Sequence, residues 1–441
     1  MTERPLTILF MPESAYGPTN QCIGLGDILR RRGHRVVFAA EASWSGKLAA
    51  LGFEEDLVDL APPPDDDTEQ DAGQFWKDFI RETAPEFRKP TIEQLATFIK
   101  PTWQALIDGA IYCEPQLKAI IKRVRPDVIV EDNVVGFPAL LTAGVPYIRV
   151  MSCNPLEVKG ANVAPTFSGY AADEPERYDA FRTEYDRTHR EMWESFNEWV
   201  VSQGAPPLAD LEFIHTSDVA NLYVFPQEAD YTDARPLDET WHRMDSSVRE
   251  TDEQYVLPSA VAERPEDTAL IYVSLGSLGS ADVDLMRRLV DVLSRTPHRY
   301  IVSKGPQHDA YELADNMVGS EFLPQTTIIP LVDAVITHGG NNTTTESMHF
   351  GKPMIVLPLF WDQYDNAQRM DEMGFGVRLD TYTFSDGDMD RALATVLSPT
   401  MRRQLDAVGR RVRSANGLRH GADVIESVGR SHVASQASNS A

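Results

Sequence analysis

The chain reads as an α/β protein built from two doubly wound, Rossmann-like domains that face a cleft. Three observations carry that reading. Short apolar runs alternate with helical segments through the first half, the pattern of buried parallel strands. A polar, Pro-bearing stretch over residues 226–267 breaks the rhythm, as a linker does. The βα alternation then resumes. The expected divisions are a first domain over 1–225, the linker over 226–267, and a second domain over 268–415. A C-terminal helix over 416–432 packs back on the first domain, and 433–441 is a disordered tail.

Taken in order, strands are expected at "LTILFM", "RVVFAA", "PDVIVED" and "VPYIRVM". The stretch "PESAYGPTN" after the first strand is a turn holding Tyr16, Gly17, Pro18, Thr19 and Asn20. It lies at the carboxyl edge of the sheet, where α/β folds place their chemistry, and it contains no obvious acid or base. Residues 59–73, rich in Pro and Asp, form a surface loop. Helical stretches follow at 74–124 and about 171–203, placed to cover the sheet or line a pocket. After the strand "VANLYVF" and the linker, strands recur at "ALIYVSLGS", "HRYIVSKG", "DAVITHGG", "PMIVLPL" and "GVRLD". Amphipathic helices fill about 386–430.

Charge and composition narrow the function. Against 41 Lys and Arg stand 67 Asp and Glu, a formal charge of −26. Such a chain is a poor partner for nucleic acid or an anionic membrane. No run of about 18 apolar residues is present, so no membrane span is expected. The start "MTERPLTILF" lacks the basic and apolar regions of a signal peptide, and the expected location is cytoplasmic. Cys22, Cys113 and Cys153 follow no metal spacing and suggest reduced, partly buried thiols.

The informative stretch is "DAVITHGGNNTTTESMHFGKPMIVLPLFWDQYDNAQ", residues 333–368. A buried strand ends at Thr337, His338–Gly340 turn, and "NNTTTESMHF" opens a helix. Asn342, Thr343 and Thr344 add side-chain donors beside the free N–H groups of the first turn, which makes an anion site. Glu346 lies one turn further on the same face, well placed for ribose hydroxyls. "VSLGS", ending at Ser277, brings more backbone donors, and Asp362–Gln363 suit sugar hydroxyls. An N-capped helix after a tight turn is the plainer alternative for the HGG segment alone.

"THGGNNTTTESMHFGKPMIVLPLFWDQYDNA" resembles the nucleotide-sugar signature of the UDP-dependent glycosyltransferases, glycosyltransferase family 1, which have the GT-B fold. The resemblance runs from the first βαβ unit through "SLGS" and "FLPQ" to the final helices. It implies that Phe322 stacks on the base, in place of the Trp usual in plant members, and that the Leu323 backbone pairs with the base edge. It further implies that Gln325 contacts the nucleoside and Glu346 the ribose. Ser277, His338, Gly340, Asn342 and Thr343 would hold the diphosphate, and Asp362 and Gln363 the sugar, with Gln363 the choice associated with glucose. No metal is implied, and the UDP-sugar is a co-substrate, so no separate cofactor is expected.

The family's base is a His in the loop after the first strand. Here Gly17 and Asn20 match that loop, and Pro18 occupies the His position. The family's acid that orients the His matches Asp132 in "PDVIVEDNVV", with Glu131 beside it. Three readings stay open. Asp132 acts as base directly, its pKa raised by an apolar pocket. The acceptor is itself acidic or a carbon nucleophile and needs little help. Or another group substitutes: Glu13, His189 or His215. The expected activity is inverting transfer of a hexose, glucose from UDP-glucose, to a small hydrophobic acceptor, phenolic, polyketide or terpenoid-like. The resemblance is to bacterial natural-product members, as monomer or homodimer. The alternatives are an inactive nucleotide-sugar-binding partner and a C-glycosyltransferase.

Overall fold

A computed structural model describes residues 4–62, 82–250 and 253–439, so 63–73 of the expected loop and 74–81 of the expected helical stretch lie outside the described residues. Two all-parallel sheets form the framework. The first comprises β1 (Thr7–Pro12), β2 (Arg35–Phe38), β3 (Glu54–Glu55), β4 (Val128–Asp132), β5 (Tyr147–Met151), β6 (Ala220–Tyr223) and β7 (Trp241–Arg243), in the order β3-β2-β1-β4-β5-β6-β7. The second comprises β8 (Leu270–Ser274), β9 (Arg299–Ser303), β10 (Met317–Ser320), β11 (Ala334–Thr337), β12 (Met354–Val356) and β13 (Gly376–Arg378), in the order β10-β9-β8-β11-β12-β13.

Helices of eight or more residues are numbered α1 (Tyr16–Arg31), α2 (Lys100–Val124), α3 (Tyr178–Ser202), α4 (Val283–Ser294), α5 (Asn341–His349), α6 (Gln363–Glu372), α7 (Asp386–Val396), α8 (Pro399–Ala415) and α9 (Gly417–Asn439). They cover both faces of each sheet because the strands are apolar on both faces. Along β1, Ile8 and Phe10 pack with Cys22 and Leu25 of α1 and Ile425 of α9. Leu9 and Met11 face the opposite way, towards Trp103 and Ile107 of α2 and Phe181 of α3. This is the period-2 alternation of a strand.

The strand order reverses between β1 and β4 in one sheet and between β8 and β11 in the other. Crevices at such switch points are where open α/β sheets bind ligands. The structure departs from the sequence reading at β3 and β10, which were not expected, and at three further places. β7 lies inside the stretch read as linker and pairs in parallel with β6, Asn221 opposite Trp241. Its three residues are too few to show a period. The helix α9 continues to Asn439, past the expected start of a disordered tail at 433. Val433 packs against the first domain's core, and the Ala- and Ser-rich end extends the helix.

The third departure concerns Tyr16, Gly17, Pro18 and Asn20, expected in a turn. They lie in the opening turns of α1, which begins at Tyr16. Pro18 is its third residue, where an N–H would have no helical acceptor, so the missing donor costs nothing. The Glu13 carboxylate accepts from the Ala15 N–H at 2.9 Å, and Thr19 Oγ1 donates to the Glu13 carbonyl at 2.9 Å, which together fix the helix start.

Candidate functional site

The second switch point holds the residues expected to bind an anion. β11 ends at Thr337 and α5 starts at Asn341, with His338–Gly340 between them. β8 feeds Gly276 and Ser277 from the other side of the crevice. The His338 ring lies between two glycines. A Cβ on Gly276 would come within 2.9 Å of its Cε1 and Nε2, and one on Gly340 within 2.7 Å of Nε2. Burial lowers the His338 pKa to about 4, so the ring is neutral near pH 7 and acts there as a hydrogen-bonding group.

One turn along α5, three expected donor-site residues are joined. Gln325 Nε2 donates to Thr343 Oγ1 at 3.1 Å and to Glu346 Oε2 at 2.6 Å. Arg249, from the stretch read as linker, reaches Glu346 Oε1 at 3.5 Å. Sequence reasoning missed Arg249, which carries no local signal because its partner is distant in the chain. Phe322 and Leu323 precede Gln325. Phe322 is 51% exposed, and its ring centroid lies 6.1 Å from that of Tyr16.

The first switch point holds Asp132. The Glu13 N–H donates to the Asp132 carbonyl at 2.8 Å, which ties the end of β4 to the segment before α1. Ser152 Oγ donates to Asp132 Oδ1 at 2.8 Å. Asp132 Oδ2 is buried with no hydrogen-bond partner among the described residues. Burial raises this carboxyl's pKa well above its ordinary value; Ser152 opposes the shift, while Glu157 and Glu13 add to it. Glu131 points to the opposite face, where it accepts from the Tyr147 hydroxyl; burial raises it to about 8.

The other base candidates are placed as follows. Glu13 has its carboxylate committed to Ser14 and Ala15, and burial raises its pKa. His189 is fully buried, stacked on Tyr185 with centroids 4.1 Å apart, and burial lowers it to about 4. His215 Nε2 meets the Pro206 carbonyl at 2.8 Å.

A polar seam joins the two switch points. Asn341 Nδ2 donates to the carbonyls of Ser152 and Val224 at 2.8 and 3.0 Å. Ser152 therefore touches both α5 and Asp132. Asn342 Nδ2, expected at a diphosphate, donates here to the Gly17 carbonyl at 2.9 Å. Asp362 Oδ2 accepts from the Asn154 N–H at 2.8 Å, and Asn154 Nδ2 donates to Asn366 Oδ1 at 2.8 Å. Burial lifts Asp362 to about 7. Gln363 Oε1 accepts from the N–H groups of Leu359 and Phe360 at 3.1 and 3.2 Å. Pro18 and Asn20 are half-buried on α1.

Beside the seam lies an aromatic cluster. Trp361 stands 5.2 Å from Trp103 and 4.5 Å from Phe167, and Phe360 lies 4.9 Å from Phe87. It draws on both domains. Among the described residues no group of three or more His, Cys, Asp or Glu is arranged to hold a metal ion. None of their helices is long and apolar enough to cross a membrane.

Comparison with known proteins fits this geometry. Residues 253–404 match the family described as UDP-glucoronosyl and UDP-glucosyl transferase. The chain is 26% identical to oleandomycin glycosyltransferase of Streptomyces antibioticus over 432 residues, 96% of this chain and 90% of that one. It is 24% identical to a sterol 3-beta-glucosyltransferase of Yarrowia lipolytica over 91% of this chain, but spans only 27% of that longer protein. Its fold matches the solved glycosyltransferase VinC in complex with dTDP, with a TM-score of 0.65, 17% identity, and coverage of 96% of this chain and 100% of that one.

Proposed function

The chain belongs to the family 1 glycosyltransferases, enzymes of GT-B fold with a nucleotide-sugar donor, and on that premise we propose that it transfers glucose from UDP-glucose to a small hydrophobic acceptor with inversion. The joined set Gln325–Thr343–Glu346 at the start of α5 supports the donor half of this reading most directly. The diphosphate sits on the first turn of α5, held by Ser277, Thr343 and the backbone of Gly340. Neutral His338 donates to it, and Asn342 bridges it to the Gly17 carbonyl. Glu346 and Gln325 hold the nucleoside, and Asp362 with the Gln363 NH₂ holds the hexose.

The acceptor oxygen attacks the anomeric carbon from the face opposite the diphosphate. The bond from that carbon to the diphosphate oxygen breaks, its electron pair leaves with the nucleoside diphosphate, and the configuration inverts. The acceptor proton goes to Asp132, whose Oδ2 has no competing donor among the described residues. Asp132 is only 2% exposed, which favours a second reading for the same site. In it the acceptor is a phenol, a carboxylic acid or an aromatic carbon, and base assistance matters little.

Transfer from UDP-glucose and dTDP-glucose to a panel of alcohols and phenols, with the product's anomeric configuration read by NMR, tests the assignment. Asp132→Asn should slow transfer to alcohols by about 10²-fold or more while donor binding persists. Alcohol transfer at near-normal rates in that variant would remove Asp132 as base. Donor binding without turnover on any acceptor would identify a nucleotide-sugar-binding protein instead.

A further inference from the structure

We propose that Tyr16 of the acceptor-side domain closes over the donor nucleobase opposite Phe322, so that the base lies between aromatic rings from the two domains. This rests on the nucleotide-sugar reading above. It gives the first residue of α1 a donor-binding role in a segment that sequence alone assigns to the acceptor.

Two large aromatic rings, one from each domain, lie near each other and stay exposed, Tyr16 at 46% and Phe322 at 51%. Their centroids are 6.1 Å apart with planes inclined by 36°. A planar base needs about 3.5 Å on each side, so a stacked base between two rings requires roughly 7 Å. The gap is about 1 Å short of that and only moderately tilted, so a small opening of the domains admits a base.

Each ring is held in place for this. Tyr16 is backed on one side by Trp44, with centroids 5.3 Å apart in an edge-on arrangement. Trp44 is itself buried and anchored, its Nε1–H donating to the Ser14 carbonyl at 3.0 Å. The Lys47 ammonium stands 5.9 Å from the Tyr16 ring and 5.5 Å from the Trp44 ring, which adds cation–π support to the same wall. On the donor side, Phe322 leads directly into Gln325 and its bonds to Thr343 and Glu346. The Asn342 bond to the Gly17 carbonyl, beside Tyr16, fixes the start of α1 over the start of α5. A ligand whose ribose reaches Glu346 and whose diphosphate reaches α5 therefore places its base between the two rings.

Calorimetric titration of the full chain with UDP, dTDP and base-free ribose 5-diphosphate tests this. Tyr16→Ala should weaken UDP or dTDP binding about 10-fold, the scale of one lost base–aromatic stack, while Tyr16→Phe retains it. Ribose 5-diphosphate should bind the wild type and Tyr16→Ala alike. Thermal melting of each variant separates lost binding from lost folding. If Phe322→Ala weakens UDP but Tyr16→Ala does not, the base stacks on one side only and the clamp is overturned while the donor site stands. If Tyr16→Ala weakens UDP and ribose 5-diphosphate equally, Tyr16 acts on the fold and not on the base, and the clamp again fails. Failure of the folded wild type to bind either nucleotide would overturn the donor reading and the clamp with it.

Discussion

Neighbouring residues at the end of β4 have different fates because strand side chains alternate. Asp132 turns towards α1 and Ser152, while Glu131 turns towards the apolar face that contains Tyr147. Burial sets the protonation of Glu131, raising its pKa from the ordinary 4.5 to about 8. Between those two values the folded chain keeps a proton that the unfolded chain has lost. Stability therefore falls as pH rises through that window and levels off above it. Glu131→Gln keeps an acceptor for the Tyr147 hydroxyl and has no proton to lose. Its melting temperature should fall less than the wild type's from about pH 5 to about pH 9, with the largest relative gain at the alkaline end. Parallel melting curves for the two proteins across that range would mean Glu131 is not protonated in the folded state.

At the scale of elements, the anion site depends on the short path from β11 to α5. Gly340 has an ordinary backbone conformation, φ −57° and ψ 139°, so an alanine would meet no backbone strain there. Its cost would come from the methyl group, 2.7 Å from His338 Nε2. That contact pushes the ring out of the crevice or tilts the start of the helix. Gly340→Ala should fold normally yet bind UDP about 10-fold more weakly or worse, as measured by titration. Unchanged affinity would place the diphosphate elsewhere. The start of α1 gives a complementary lesson. Pro and Gly there read as a turn, but a proline in the first helical turn forfeits nothing, and the Glu13 and Thr19 bonds supply the cap that no single side-chain signal announced.

For the molecule as a whole, the two domains are joined by a polar seam as well as by α9. Asn154 contributes its backbone N–H to Asp362 and its amide to Asn366. Both groups are buried, so losing the amide leaves Asn366 Oδ1 without that donor. Asn154→Ala should cost about 1–3 kcal/mol in denaturant unfolding. It should also change donor affinity, because Asp362 belongs to the expected sugar site. A variant as stable as wild type would show that the seam contributes nothing to holding the domains together. Surface ion pairs such as Arg35–Glu54 and Arg123–Asp56 are each of small energetic value, and being neutral they leave the formal charge of −26 unchanged.

The two-domain α/β architecture was legible in the sequence because buried parallel strands leave continuous apolar runs, and ten strands were found from them. β3, β7 and β10 were not, being two, three and four residues long and weakly apolar, too little to stand out as a strand signal. The strand, glycine turn and helix start that lead into α5 were legible too, since their signals are local in the chain. The contacts between domains arise from folding alone. Arg249 on Glu346, Asn342 on Gly17, Ser152 between Asn341 and Asp132, and Tyr16 facing Phe322 each join residues that no periodicity relates. Local sequence signals were enough for the strands and for the helix start at α5, because these depend only on neighbouring residues. Chain packing decided which distant groups meet, and burial then decided which carboxyls keep their protons.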